Sequence, residues 1–262
     1  FFISYIINLS ICFYSIYIFI DSVFFKRIQG SKLNIKKNSK IYPLTNVRGI
    51  IEENVDVEVY DSSFNEVLFT AKTDADGEYC IYVPAEDYNY NLRVKGSTED
   101  NSCDIYNVQI TSSAIVFYVD TAFYFESETA DQNVVLYIGN AFEGHGSNIV
   151  DAKIYVRKGI NNRRGDCIVT SQTDSTGYVS MSLKPGVYTI EACKTGYESI
   201  FYTIVASPFY SNQYEYYTPP TLSQGEYAIV LSWGQYPYDV DSHLFTNGNA
   251  HVWYNNKYDS YN

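Results

Sequence analysis

From residue 46 to residue 207 the chain consists of short runs in which apolar and polar positions alternate, such as Val55-Asp56-Val57-Glu58-Val59-Tyr60. Alternation at period two lays one set of side chains on each face of a strand, whereas a helix needs a period near 3.6. The runs predict strands at 46–51, 54–60, 66–72, 78–83, 90–95, 105–110 and 113–119, and again at 133–139, 150–157, 167–172, 178–183, 187–193 and 199–205. Turn residues separate them and no amphipathic helix interrupts them, which is the pattern of an all-β sandwich or barrel. Thr73-Asp74-Ala75-Asp76-Gly77-Glu78-Tyr79 returns 100 positions later as Thr173-Asp174-Ser175-Thr176-Gly177-Tyr178-Val179, and Val150-Asp151-Ala152-Lys153-Ile154-Tyr155 precedes the second copy as 55–60 precedes the first. Several elements recurring in one order mark a duplicated β module.

The ends break the pattern. Phe1 to Ile20 carries no charge, and a helix of that length covers the roughly 30 Å hydrocarbon core. Residues 1–25 therefore read as a membrane helix or signal anchor, with a cleaved signal remnant as the other reading. Residues 26–45 read as a basic linker, and by the positive-inside rule the basic cluster favours a cytoplasmic placement of 26–40. The first module spans 46–126 and the second 127–207. Residues 208–224, with Pro208, Pro219 and Pro220 among tyrosines, read as an extended connector. Residues 225–262 begin a third β domain that they do not complete.

Composition changes this picture in three ways. Of the 18 basic residues six lie before position 41, while 29 of the 30 acidic ones lie after it, so the body repels phosphate backbones and nucleic acid is excluded as a partner. The 28 tyrosines fit amphipathic β faces, or a ring surface that binds sugars. Cys80 and Cys103 fall in the first module and Cys167 and Cys193 in the second, which allows one disulfide in each and an oxidising compartment.

The recurring motif has a turn chemistry. An Asp at the first turn position accepts the N–H two residues on, and Gly at the fourth accepts a positive φ, so Asp74 with Gly77 and Asp174 with Gly177 specify tight reversals. Lys184-Pro185-Gly186 makes the next reversal of the second copy. Tyr90 and Tyr188 are expected on equivalent strands, pointing inward. The order T-D-x-x-G, strand, P-G-x-Y, strand, then Lys194-Thr195-Gly196-Tyr197, resembles the carboxypeptidase regulatory-like domains and the B-type repeats of bacterial collagen adhesins. The resemblance covers 47–125 loosely and 133–207 well. It implies transthyretin-like or immunoglobulin-like β-sandwiches in tandem, strung along secreted and surface proteins as spacers or binding modules.

Adhesin repeats of this kind often close an isopeptide bond between a Lys on the first strand and an Asn on the last, promoted by an acid in a Y-x-apolar-E segment. Glu191 in Tyr188-Thr189-Ile190-Glu191 matches the acid, but Val134–Tyr137 offers no Lys and Tyr202–Val205 no Asn, so Glu191 is expected as a solvated strand residue. A calcium loop at Asp74-Ala75-Asp76-Gly77 fails on position, because Lys72 and Val83 fall where carboxylates are required. Trp233-Gly234-Gln235-Tyr236-Pro237-Tyr238-Asp239-Val240-Asp241-Ser242-His243-Leu244, followed by His251-Val252-Trp253-Tyr254, resembles the opening of an uncharacterised β domain at the ends of bacterial surface proteins. On a strand Asp239, Asp241 and His243 share one face and are candidate ligands for Ca2+ or another divalent cation, with His251 adding transition-metal character. The competing reading is loop caps and hydrogen bonds. No nucleophile motif is present, and His145 lies in a Gly-flanked loop. Arg157, Lys158, Arg163 and Arg164 suggest contact with an anionic polymer or, more simply, an exposed hairpin tip.

Together these readings give a non-catalytic, extracellular protein, membrane-anchored or secreted. Its sandwiches act as spacer and adhesion modules toward cell-surface proteins or glycans and present the C-terminal segment. Two alternatives are an accessory carbohydrate- or protein-binding region of a secreted hydrolase, and a metal-dependent activity in the C-terminal domain.

Overall fold

The computed structural model describes residues 53–84, 87–96, 102–110, 130–144, 146–209 and 211–230, together with the backbone of strands at 4–8, 25–35, 40–41, 48–51, 116–118, 122–125, 244–245 and 251–252. Strands β1 (Ser4–Asn8), β2 (Phe25–Ile35), β3 (Lys40–Ile41) and β4 (Arg48–Ile51) come first. The first repeat continues with β5 (Asp56–Tyr60), β6 (Val67–Lys72), β7 (Glu78–Pro84), β8 (Tyr88–Val94), β9 (Cys103–Ile110), β10 (Val116–Tyr118) and β11 (Ala122–Phe125). The second repeat holds β12 (Gln132–Asn140), β13 (Lys153–Lys158), β14 (Val169–Gln172), β15 (Tyr178–Leu183), β16 (Gly186–Cys193), β17 (Ile200–Ala206) and β18 (Gln213–Thr218). β19 (Glu226–Val230), β20 (Leu244–Phe245) and β21 (His251–Val252) follow.

The fold is all-β and made of several sheets. The duplication seen in the sequence is also a duplication of strand pairing. One sheet runs β6-β5-β8-β9 and its counterpart β14-β13-β16-β17, every neighbour antiparallel. Facing the latter, β12 pairs antiparallel with β15 and parallel with β18. In the first repeat β2 pairs antiparallel with β7 and parallel with β10 and β11. Strand β2 thus stands where β12 stands, and Tyr90 on β8 and Tyr188 on β16 are both buried on matching strands.

Alternation explains each core. On β15 the burial pattern alternates strictly, with Val179, Met181 and Leu183 inside. They meet Val134, Leu136 and Ile138 of β12 and Ile154, Val156, Ile190 and Ile204 of the facing sheet in one cluster. The first repeat does the same with Val57, Val59, Tyr79, Ile81, Val83, Leu92 and Ile110. Such side chains contribute about 1.5–3 kcal/mol each when fully buried.

Four expectations change. The charge of residues 26–45 predicts a linker, yet 25–35 is a strand; the unpaired edge of β7 needs main-chain partners, which β2 supplies whatever its side chains. Residues 4–8, inside the expected membrane helix at 1–25, are extended and pair with Glu226–Val230; an Ile- and Tyr-rich run serves a strand as well as a helix, and hydropathy does not separate the two. The rest of 1–24 lies outside the described residues, among which no helix is long and apolar enough to cross a membrane. Residues 208–224 are not a plain connector, since Gln213–Thr218 forms β18, and the prolines bracket a strand rather than dissolve it. Finally, Cys80, Cys103, Cys167 and Cys193 carry thiols rather than disulfides. Alternation is the cause in the first repeat, because Cys103 is buried in the core while Cys80, next to inward Tyr79, lies on the outer face.

Candidate functional site

The recurring turns are built alike in both repeats. Asp74 Oδ1 accepts the N–H groups of Asp76 at 3.0 Å and Glu78 at 2.9 Å, and Gly77 takes φ 69°. Asp174 Oδ1 accepts those of Thr176 at 2.8 Å and Tyr178 at 3.1 Å, and Gly177 takes φ 78°. The Thr176 hydroxyl, followed by the N–H groups of Thr176 and Tyr178, holds the Asp174 carboxyl below its ordinary pKa. In each turn one carboxylate oxygen, Oδ1, takes all of these hydrogen bonds. The threonine before each Asp is a structural residue as well. Thr173 is buried, its Oγ1 accepts from Ala152 N at 2.9 Å and donates to Ile149 O at 2.6 Å, and Thr73 Oγ1 accepts from Val55 N at 3.0 Å. The signal was present, since Thr is identical in the two copies.

Other candidates fall into structural pairs. Glu191, partly exposed on its strand, accepts from Arg157 Nη1 at 2.7 Å, and Arg157, itself buried, also donates from Nε to Gly165 O at 2.9 Å. The actual last strand of the second repeat is β18, and neither β12 nor β18 contains Lys, nor β18 Asn. The tyrosines of β18 pack against one another and tie down β17. Tyr202 and Tyr216 stack with centroids 3.7 Å apart, and Tyr214 lies parallel to Tyr216 at 6.1 Å. The Tyr214 hydroxyl accepts from Val205 N at 3.1 Å and donates to Val205 O at 2.6 Å, and that of Tyr216 donates to Thr203 O at 3.3 Å. Tyr202 donates to Tyr217 O at 2.7 Å, and burial pushes its pKa up to about 12.

The chemically richest arrangement lies between the repeats. The β13–β14 loop keeps Lys158, Arg163 and Arg164 exposed at its tip, while Gly159, Ile160 and Asn161 pack on β9. Gly159 takes φ 96°, and a Cβ there would stand 2.8 Å from Asp104 O and 2.9 Å from the Tyr106 ring. Ile160 and Ile105 form a parallel bridge in which Ile160 N donates to Asp104 O at 2.8 Å and Tyr106 N to Ile160 O at 2.9 Å. Asn107 Nδ2 donates to Asn161 O, and Asn161 Nδ2 to Tyr106 O, both at 3.1 Å. Both asparagines adopt positive φ, 55° and 54°, which Asn tolerates better than most residues.

Each side of this joint is braced in advance. Asn91 holds the β9 bulge by accepting from Asn107 N at 3.0 Å. Arg93 grips Asp104 with two hydrogen bonds of 2.8 and 2.9 Å and lies over the Phe64 ring at 5.0 Å, while Phe64 meets Tyr106 at 5.2 Å. The Asp104 carboxylate holds the Arg93 guanidinium more firmly protonated than usual. Across the joint, Thr189 Oγ1 donates to Gly159 O and accepts from Asn162 N, each at 2.8 Å, and Arg163 lies 4.9 Å over Phe201. Such an arrangement fixes two bodies together; it offers no nucleophile with its base.

Asp239, Asp241, His243 and His145 lie outside the described residues, and of His251 only the backbone on β21 is described, opposite Phe245. Among the described residues no three His, Cys, Asp or Glu side chains gather to hold a metal.

No family model and no curated protein matches the chain. It is distantly similar to several solved structures. These include the Bacillus anthracis TIE protein (11% identity over 75% of this chain and 34% of that one, TM-score 0.28), a streptococcal ancillary pilin (13%, 76% and 63%, TM-score 0.27) and the minor pilin of Streptococcus agalactiae (12%, 76% and 97%, TM-score 0.27). The chain thus spans about a third of the TIE structure and less than two thirds of the ancillary pilin. Similarity at this level identifies no family.

Proposed function

We propose that the chain is a non-catalytic modular protein of the cell surface or the secreted fraction, in which two joined sandwiches serve as a stiff spacer and adhesion module that presents the segment beyond residue 225. The observation that carries this reading is the joint at Ile105 and Ile160. Main-chain and asparagine hydrogen bonds replace the flexible tether expected between independent binding modules. Asp74 and Asp174 are engaged in turns, and Asp104 with Arg93 and Glu191 with Arg157 in ion pairs. We take the first unit to begin at β2 and the second to end with β18. Small-angle scattering on the chain tests the spacer: one fixed inter-unit distance is expected, and a broad distribution of distances contradicts it.

The exposed rings of Tyr82, Tyr88 and Tyr178 favour a second reading, an accessory region that binds glycans or proteins for a secreted hydrolase. A glycan array discriminates: specific retention abolished by Tyr82→Ala supports accessory binding, and no retention leaves the spacer. For Asp239, Asp241 and His243 the proposal is a divalent-cation site. Chelation is expected to lower the Tm of the full chain, and an unchanged Tm removes that site.

A further inference from the structure

We infer that the two repeats depend on each other in one direction only: the second folds on its own core, and the first is completed by the second. Ile160 and Val187, both of the second repeat, are buried members of the first repeat's core, and Val205 and Phe209 pack partly buried against it. The converse does not hold among the described residues. The second repeat's core draws only on residues between Val134 and Ala206, with Tyr197, Tyr214 and Tyr216 at its margin, and takes nothing from the first.

Three further observations point the same way. The hydroxyl of Tyr79, in the middle of the first core, is buried and finds no hydrogen-bond partner among the described residues. Among the described residues that hydroxyl does nothing to hold the core, so the first repeat leans more on outside support. On β9 the groups facing away from β8, Asp104 O and Tyr106 N, are taken by Ile160, so without the second repeat they return to water along with the opened core. In contrast, β17, which holds the corresponding edge of the second repeat, is closed by hydroxyls of its own β18 at Val205 and Thr203. The loop that carries Ile160 is also pre-formed by its own repeat, through Thr189 and Asn162. The second repeat thus presents a finished plug, and the first an open socket.

The inference goes beyond the spacer reading and is tested without it, by residue-resolved amide hydrogen exchange on the full chain. With Ile160→Ala, protection of 56–60, 90–94 and 103–110 is expected to fall about 30-fold or more, while that of 134–138 and 188–192 stays as in the parent. Leu92→Asn, in the first core, is expected to spare the second repeat, whereas Leu136→Asn, in the second core, is expected to strip protection from both. Unchanged first-repeat protection in Ile160→Ala, or a first repeat that stays protected in Leu136→Asn, overturns the dependence. So does loss of second-repeat protection in Leu92→Asn.

Discussion

Thr173 shows how much one hydroxyl decides here. It is buried, and its Oγ1 serves the N–H of Ala152 and the carbonyl of Ile149 at once. Removing it leaves two buried main-chain groups without a partner, at about 1–3 kcal/mol. Thr173→Ala is therefore expected to destabilise the chain by about that amount, whereas Ser, which keeps the hydroxyl, restores most of it; denaturant unfolding measures both. Asp61 carries a pH dependence. Its carboxyl is brought down from 3.8 to about 2, first by the Ser63 hydroxyl and then by the N–H groups of Glu66 and Asn65. A depressed folded pKa means that its contribution is complete above about pH 4 and disappears as pH falls through about 2. An NMR titration of Asp61 is expected to give a midpoint near 2; one near 3.8 contradicts the turn. Among the turn residues, Asp74, Gly77, Asp174 and Gly177 were legible because their roles are local. For Thr73 and Thr173 the sequence shows the recurrence but not its reason, because their partners lie 18 and 21 residues away.

At the scale of elements, β18 repays comparison with its reading as a connector. Tyr214 and Tyr216 alternate at period two and meet Val205 and Thr203, which alternate at period two on β17. Two hydroxyls thus stand in for a missing strand at a sheet edge. Tyr214→Phe is expected to cost about 1–2 kcal/mol. The double change of Tyr214 and Tyr216 to Phe is expected to expose the β17 edge and promote self-association, read by light scattering. In the sequence the three prolines signal a connector more strongly than the tyrosine spacing signals a strand. For β2 charge describes the side chains, whereas sheet membership there is a matter of main-chain pairing.

For the whole molecule, the consequence is that 100-residue periodicity in sequence does not make two equivalent units. The matching strand orders β6-β5-β8-β9 and β14-β13-β16-β17 follow from the repeat. The asymmetry follows from the β13–β14 loop, which carries Gly159, Ile160 and Asn161 and for which the shorter β5–β6 turn has no counterpart. Gly159→Val is expected to loosen the joint, since a side chain there meets Asp104 O and the Tyr106 ring. Small-angle scattering then shows a wider spread of inter-unit distances with strand content unchanged.

What the sequence determined by itself was everything carried by near neighbours: the all-β class, the alternation that sorts core from surface, the duplication, and the Asp and Gly turns. Only the tertiary structure decided which strand pairs with which, that β2 and β18 belong to the sheets, that alternation keeps the thiol of Cys80 away from that of Cys103, and that Ile160 of one repeat completes the core of the other. The reason is physical. Period and turn propensity are set within a few residues of chain, whereas edge pairing and core completion are settled by which distant surfaces remain unsatisfied once the local pieces have formed.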